Sequence, residues 1–174
     1  MMRSELMVSV ITNVLRHAHE GVLPLFARTL ALPQQEFMAL VAYCFPDHDL
    51  PVAIPEFKYA ALLRTTPSLF REVAALLVSY RSPDANVQHA EWLARAIAAA
   101  SLGGRFLWQD LGLSGRDALS ALLKQYFEPF YRRNDRDLKW KQLLYTEVGI
   151  LKGNHGAPAP GCRKCEQFEV CYAH

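Results

Sequence analysis

The sequence of 174 residues has almost no excess of charge of either sign. Its 19 Lys and Arg residues and 17 Asp and Glu residues leave a net charge of +2. So small an excess argues against a nucleic-acid partner, because such proteins need a basic surface to neutralise phosphates. Apolar residues make up 51% of the chain and charged residues 21%, which is typical of a folded domain. We therefore expect one domain with one core.

Long apolar runs are also missing. The N-terminal stretch MMRSELMVSVITNVLRH is short, is interrupted by Ser9 and Thr12, and has no small-residue cleavage site. It therefore predicts an amphipathic helix rather than a signal peptide or a membrane span. We expect a cytoplasmic protein with no membrane partner, in a compartment where thiols stay reduced.

No stretch shows the period-two alternation of a β-strand, and there is no internal repeat or glycine-rich nucleotide loop. No arrangement of nucleophile, general base and oxyanion donors is visible either, so we do not expect an enzyme. Apolar residues recur instead at spacings of three and four. The pattern predicts an all-α fold: a single compact bundle of about seven helices over residues 1–151, followed by an irregular cysteine-bearing tail over residues 152–174.

Start and stop signals place several of these helices. We predict a first helix from about residue 4 to 18 with Leu6 on its apolar face, and a second from Leu23 to Leu32. Pro33 opens a third, Thr66-Pro67 precedes another, and an alanine-rich helix ends at Gly103 or Gly104. RFLWQDLGL predicts a short helical turn. Two capping-box-like pairs are predicted to start the last two helices: Ser114 with Asp117, and Asn134 with Asp137.

The tail holds three of the four cysteines, spaced Cys162-x2-Cys165-x5-Cys171. Two residues between thiolates let both face one metal centre from a tight turn, as in zinc and iron–sulfur sites. From the spacing alone, two kinds of site are equally well supported. One is structural zinc with His155 or His174 as fourth ligand, and the other is an iron–sulfur cluster. Unliganded thiols are a weaker interpretation, because the surrounding tail is polar.

The 70 or so residues before the cysteines carry unusual short motifs in a fixed order. The motifs are WLA at residues 92–94, LW–DLGL around 108–113, RN–D–KWK at 133–141, then Tyr145 and Ala159-Pro160. In this order they closely resemble the nitrogen-fixation protein NifQ family. The resemblance implies an iron–sulfur cluster, of [3Fe-4S] or [4Fe-4S] type, that can incorporate molybdenum. It further implies donation of that molybdenum to nitrogenase cofactor assembly, with molybdate as the metal source and the scaffold and iron-protein complex as partners.

The family's tail pattern, Cys-x4-Cys-x2-Cys-x5-Cys, matches here at Cys162, Cys165 and Cys171, but Ala157 stands where its first cysteine would fall. Three thiolates suffice for three irons, and molybdenum at the remaining corner would accept oxygen or nitrogen donors. His155 is a candidate for that corner. Cys44 is a weaker one, because its place on an apolar helix face predicts packing. A member with weakened or lost cluster binding is the alternative implied by Ala157.

A basic segment precedes the last predicted helix. Its arginines and lysines are candidate ligands for molybdate, for an anionic cluster or for a partner: Arg132, Arg133, Arg136, Lys139 and Lys141. The alternative is a solvated helix start with local ion pairs. Trp108 and Trp140 are predicted to be core aromatics, and His17 and His19 to be surface histidines near a helix end.

Overall fold

The computed structural model describes residues 4–47 and 54–153. These residues form nine α-helices and one 3-10 turn, Leu25–Arg28, with no strand among them. The prediction of an all-α bundle is confirmed, although the described part of the chain has more helices than the seven predicted. The α-helices, in chain order, are α1 (Glu5–His19), α2 (Gln34–Cys44), α3 (Glu56–Arg64), α4 (Ser68–Ser79), α5 (Val87–Ser101), α6 (Leu107–Asp110), α7 (Arg116–Tyr126), α8 (Glu128–Arg132) and α9 (Trp140–Leu151).

Helix α5 lies at the centre of the bundle. Its N-cap is Asn86, whose Oδ1 accepts a hydrogen bond from the backbone N–H of His89 (3.0 Å). From Ala96 to Ala100 every side chain is fully buried, because α1 and α4 cover opposite parts of the helix. The small alanine side chains let these neighbours approach closely, and high helix propensity holds the alanine run helical.

One residue of the predicted apolar face of helix α1, Leu6, is not buried. Met7, Val10, Ile11 and Val14 form its buried face, whereas Leu6 is partly exposed at the flank. Ser4 begins the helix as the predicted boundary requires, with its Oγ accepting from the Met7 N–H at 3.3 Å.

The prediction of a second helix over Leu23 to Leu32 is wrong. Only the 3-10 turn forms, and Leu30 and Ala31 then adopt left-handed conformations with φ of 52° and 54°. Arg95 of α5 donates hydrogen bonds to both of their carbonyls, at 3.1 and 3.0 Å. Thr29 Oγ1 also accepts from the Ala31 N–H. These contacts, most of them from a distant helix, offset the cost of left-handed backbone for non-glycine residues.

Neither predicted capping pair forms. Helix α7 begins after Gly115 with no side-chain cap. Asn134 instead closes a turn with Leu138: its Oδ1 accepts from the Leu138 N–H (2.7 Å), and its Nδ2 donates to the Leu138 carbonyl (2.8 Å). Asp137 is left-handed within that turn, so α9 starts only at Trp140.

Helix α9 is fixed at both ends and leads to the tail. At its C-terminal end, Lys152 Nζ pairs with Glu72 Oε2 of α4 at 3.2 Å. Tyr145, two turns earlier, has its hydroxyl 3.0 Å from Ser101 Oγ at the end of α5. The cysteine-bearing segment therefore follows a helix that is held in place by two others.

Candidate functional site

The predicted metal ligands Cys162, Cys165, Cys171 and His155 lie outside the described residues, as do His174 and Ala157. Within residues 4–47 and 54–153, no three His, Cys, Asp or Glu side chains come together in a way that could hold a metal ion. Cys44 is 1% exposed at the end of α2, so its predicted place in the core is confirmed. The candidate site is therefore built from the helix that carries the tail and from the basic segment in front of it.

The start of α9 is fastened to the end of α5 by a buried lysine. Lys141 is 7% exposed, and its Nζ donates to the carbonyls of Gly103 and Arg105, at 2.8 Å each. Both carbonyls belong to the loop that follows α5, and a cation is favourable there because the negative end of the α5 dipole lies close by. Lys141 and Tyr145 are one turn apart on α9, and both contact the segment that ends α5.

A buried carboxylate completes this junction. Asp110 is fully buried at the end of α6, and its Oδ1 accepts from Arg105 Nε (2.8 Å) and Nη2 (2.7 Å). Its Oδ2 has no hydrogen-bond partner in the described part of the chain and lies against the Cα of Gly103. The Asp110 carbonyl accepts from Nδ1 of His17, which is buried. The prediction of a surface His17 is therefore wrong, whereas His19 is exposed as predicted.

The three arginines of the basic segment have different surroundings, and one of them contacts the second half of α9. Arg133 Nη2 pairs with Glu147 Oε2 at 3.0 Å, and its guanidinium stacks over Tyr80, 5.7 Å from the ring centroid. The hydrogen bond and charge of Glu147 raise the pKa of Arg133 above its ordinary value. Arg132 pairs with Glu128 one turn back along α8 (2.7 Å). Arg136 is exposed on the turn that follows.

The two lysines of the segment lie elsewhere. Lys139 Nζ is 5.0 Å from the centroid of the Phe106 ring, and Lys141 is buried as described above. Residues 139 and 147 are separated by about 12 Å along a helix that rises 1.5 Å per residue. The structure thus divides the five candidate cations. Arg133 contacts the second half of α9, Arg132 pairs within α8, and the two lysines lie at the start of α9, against Phe106 and the loop that follows α5.

The structural role of Lys141 had a signal in the sequence that the prediction did not use. Lys141, Leu144, Tyr145 and Val148 follow the spacing of a single helical face, and all four are buried. A lysine on an apolar helix face indicates a buried cation that binds backbone carbonyls, rather than an exposed cation that is open to a ligand. The two tryptophans predicted to lie in the core both pack against it. Trp140 is buried and donates from Nε1 to Ser120 Oγ (2.9 Å), and Trp108 is half-buried against the core.

Two segments that stand far apart in the sequence, residues 103–116 and 137–141, meet at this junction. The segment 103–113 touches α9 through Lys141, and Arg116 donates to Asp137 Oδ1 (2.9 Å) and the Leu138 carbonyl (2.8 Å). The family model described as NifQ matches residues 6–173, which is nearly the whole chain. The chain belongs to the NifQ family. NifQ membership implies a role in nitrogen fixation.

Individual NifQ relatives are similar at modest identity. The Protein NifQ of Rhodobacter capsulatus is 27% identical over 165 residues, which cover 94% of this chain and 86% of the relative. The Protein NifQ of Azotobacter vinelandii is 36% identical over 81 residues, 47% of this chain and 42% of the relative. That of Klebsiella pneumoniae is 29% identical over 103 residues, 59% of each. The matched part thus spans less than two thirds of the Azotobacter and Klebsiella proteins.

No solved structure is significantly similar to the chain. In the described ranges, no helix has the length and apolar character that crossing a bilayer requires.

Proposed function

We propose that this protein is an iron–sulfur carrier that supplies molybdenum for assembly of the nitrogenase iron–molybdenum cofactor. The observation that carries the proposal is the Cys162-x2-Cys165-x5-Cys171 spacing in a chain that belongs to the NifQ family. Thiolates are the ligands that iron–sulfur clusters use, and closely spaced cysteines are typical of their binding segments.

Molybdenum is the cargo in this proposal, and three cysteines suit a cargo site. Three thiolates can hold three irons and leave one corner without a protein sulfur. A bound cluster would supply a metal position whose remaining ligands are oxygen or nitrogen donors, from which the metal can leave. Ala157 in place of a fourth cysteine is consistent with such an open corner, and His155 is the histidine nearest to that position in the sequence.

The fold is consistent with separate roles for the helical bundle and the cysteine-bearing tail. Among the described residues, apolar side chains of α1, α4, α5, α7 and α9 form one continuous core. Helix α9 is fastened through Lys141 at its start and Lys152 at its end. We therefore propose that the bundle folds without metal and presents the cysteines from a fixed point.

We further propose that the protein acts as a carrier rather than an enzyme, taking molybdate as its metal source and the cofactor scaffold and iron-protein complex as partners. The exposed arginines of the basic segment, Arg132, Arg133 and Arg136, are candidate cations for attracting an anionic metal source. Of these, Arg136 is exposed and makes no hydrogen bond or ion pair with a described residue.

Replacement of Cys165 by alanine tests the proposal. The anaerobically purified variant should lose the visible absorbance of the cluster and keep its helical circular dichroism, because the proposal assigns Cys165 to the metal and the described core to the bundle. Cys44→Ala is the matched control. It should keep the visible absorbance and lose about 1–2 kcal/mol of stability, since it deletes a buried sulfur from the core.

Two outcomes would replace the proposal with alternatives from the sequence. A colourless protein with one zinc, whose helical signal collapses on chelation, would identify a zinc-clamped helical interaction domain. A protein that binds neither iron nor zinc would identify a family member that has lost its cluster.

A further inference from the structure

The last turn of α9 carries two neighbouring aliphatic side chains that are largely exposed. Ile150 is 44% exposed, and Leu151 is 74% exposed, the highest value among the large apolar side chains of the described residues. Nowhere else in that part of the chain are two consecutive large apolar residues exposed. The earlier turns of the same helix bury theirs, as Leu144 and Val148 show. Covering this last turn would be favourable, because it would remove two aliphatic side chains from water.

The backbone fixes the point at which the chain leaves this turn. Gly153 ends α9 in the left-handed conformation, with φ of 78°, and its N–H donates to the Ile150 carbonyl at 3.1 Å. A left-handed residue at this position stops a helix and turns the chain away from the helix axis. Lys152, directly before it, is held to Glu72 of α4 at 3.2 Å. The segment that follows therefore starts from an anchored position within three residues of both exposed side chains.

The sequence that follows supplies an occupant for the exposed turn. Residues 154–174 lie outside the described residues, and Phe168 and Val170 stand between the second and third cysteines of this segment. The metal-binding stretch, residues 162–171, is too short to bury these side chains in a core of its own. The linker over residues 154–161 can span about 30 Å when extended, which is ample for a return to the end of α9. Metal sites also depend on an apolar shell that limits solvent access.

We propose that the cysteine-bearing segment, when it holds metal, docks on the last turn of α9 of the same chain, with Phe168 covering Ile150 and Leu151. The inference rests on the proposed function only in naming an iron–sulfur cluster as the metal that orders the segment. A short linker gives the segment a high effective concentration at this turn, so it has an advantage there over any separate chain. Docking shields one side of the metal from water and couples metal binding to the end of α9.

The test follows hydrogen exchange in the last turn of α9, by mass spectrometry of the full chain without oxygen. Exchange in the wild type should slow by about tenfold after reconstitution with iron and sulfide, because docking suppresses fraying of the helix end. Leu151→Ser and Phe168→Ser should each take up the same amount of iron and lose this slowing. Iron should pass from these two variants to a chelator about tenfold faster than from wild type.

Two controls accompany these variants. Val87→Ser replaces a side chain that is 63% exposed at the start of α5, and it should keep both the metal-dependent slowing and the wild-type rate of iron loss. The double variant of Leu151→Ser and Phe168→Ser should be no worse than either single variant, because the two substitutions remove one contact.

Three results would overturn the proposal. The first is equal exchange at the end of α9 in metal-loaded and metal-free wild type. The second is normal metal-dependent slowing in Leu151→Ser and Phe168→Ser, which would place the segment on another surface. The third is loss of self-association in Leu151→Ser with the metal-dependent slowing unchanged, which would assign the turn to a second copy of the chain.

Metal content separates this proposal from the proposed function. If the chain binds zinc and no iron, the carrier function fails, but slowing by zinc that disappears in Leu151→Ser would still support docking. Cys165→Ala should lose both the metal and the slowing, whichever metal is bound. A chain that binds neither iron nor zinc would overturn both proposals.

Discussion

Lys141→Met removes the buried ammonium that joins α9 to α5. The wild-type Nζ makes two charge-assisted hydrogen bonds of 2.8 Å, to the carbonyls of Gly103 and Arg105. Each is worth roughly 1.5–3 kcal/mol, and their loss leaves two carbonyls in a largely buried junction. Relief of the cost of burying an ammonium offsets part of this loss. We expect a net loss of about 2–3 kcal/mol of unfolding free energy.

The assay is equilibrium unfolding in urea, followed by circular dichroism at the helical band. Lys139→Met is the matched control. It removes an ammonium from the same segment that lies over the Phe106 ring at 5.0 Å, and it should cost about 1 kcal/mol or less. Because a domain of this size shifts its Tm by roughly 2–4 °C per kcal/mol, the two variants should differ by several degrees.

Either of two results would refute the reasoning. If Lys141→Met is as stable as wild type while molybdate binding falls, the ammonium serves an oxyanion and does not fasten α9. Equal losses in the two methionine variants would also contradict a special role for Lys141.

Two further predictions follow from the same region and from the start of α5. Gly103→Ala should destabilise the protein by about 2 kcal/mol or more, since the new Cβ would collide with Asp110 Oδ2. Gly104→Ala meets open space and should be within about 0.5 kcal/mol of wild type. Similar unfolding midpoints for the two variants would contradict the close approach of Asp110 to Gly103. Burial lowers the pKa of His89 below the ordinary value of a histidine. The unfolded chain therefore binds a proton at this side chain more readily than the folded protein does, and His89 should contribute a loss of stability as the pH falls below about 6.5. Urea midpoints between pH 7.5 and 5.5 should then fall less for His89→Gln than for wild type, and identical slopes would rule out this linkage.

The sequence predicts the helical class and the position of α5 because those depend on local properties. Alanine-rich propensity, an asparagine N-cap and a glycine stop all lie within one segment. The same holds for α2, which begins directly after Pro33 and ends before Pro46.

The failures occur where a distant side chain decides the backbone. Residues 23–32 have helical periodicity, yet Arg95 of α5 holds the Leu30 and Ala31 carbonyls in a left-handed turn. The predicted helix over RDALSALLKQYFEPF divides at Phe127, where the Ser82 hydroxyl accepts from the Glu128 N–H at 2.8 Å. Neither partner can be identified from local spacing.

In the candidate site, too, some features depend on local sequence and others on contacts between distant residues. The cysteine spacing is a local pattern, so the sequence alone predicts the metal ligands. The roles of Lys141 and Arg133 depend on contacts across the fold, with Gly103 and Arg105 in one case and with Tyr80 and Glu147 in the other. A basic segment that seems continuous in the sequence therefore becomes two groups in the structure.

The central claim is that three sulfurs near the end of the chain bind iron and allow molybdenum to be handed on. Its most direct test is the iron, acid-labile sulfide and molybdenum content of the protein purified without oxygen from molybdate-supplied cells. The account predicts about three irons or more per chain, matching sulfide, and molybdenum that is lost together with the iron in Cys165→Ala. A protein that contains neither iron nor sulfide under these conditions would contradict it.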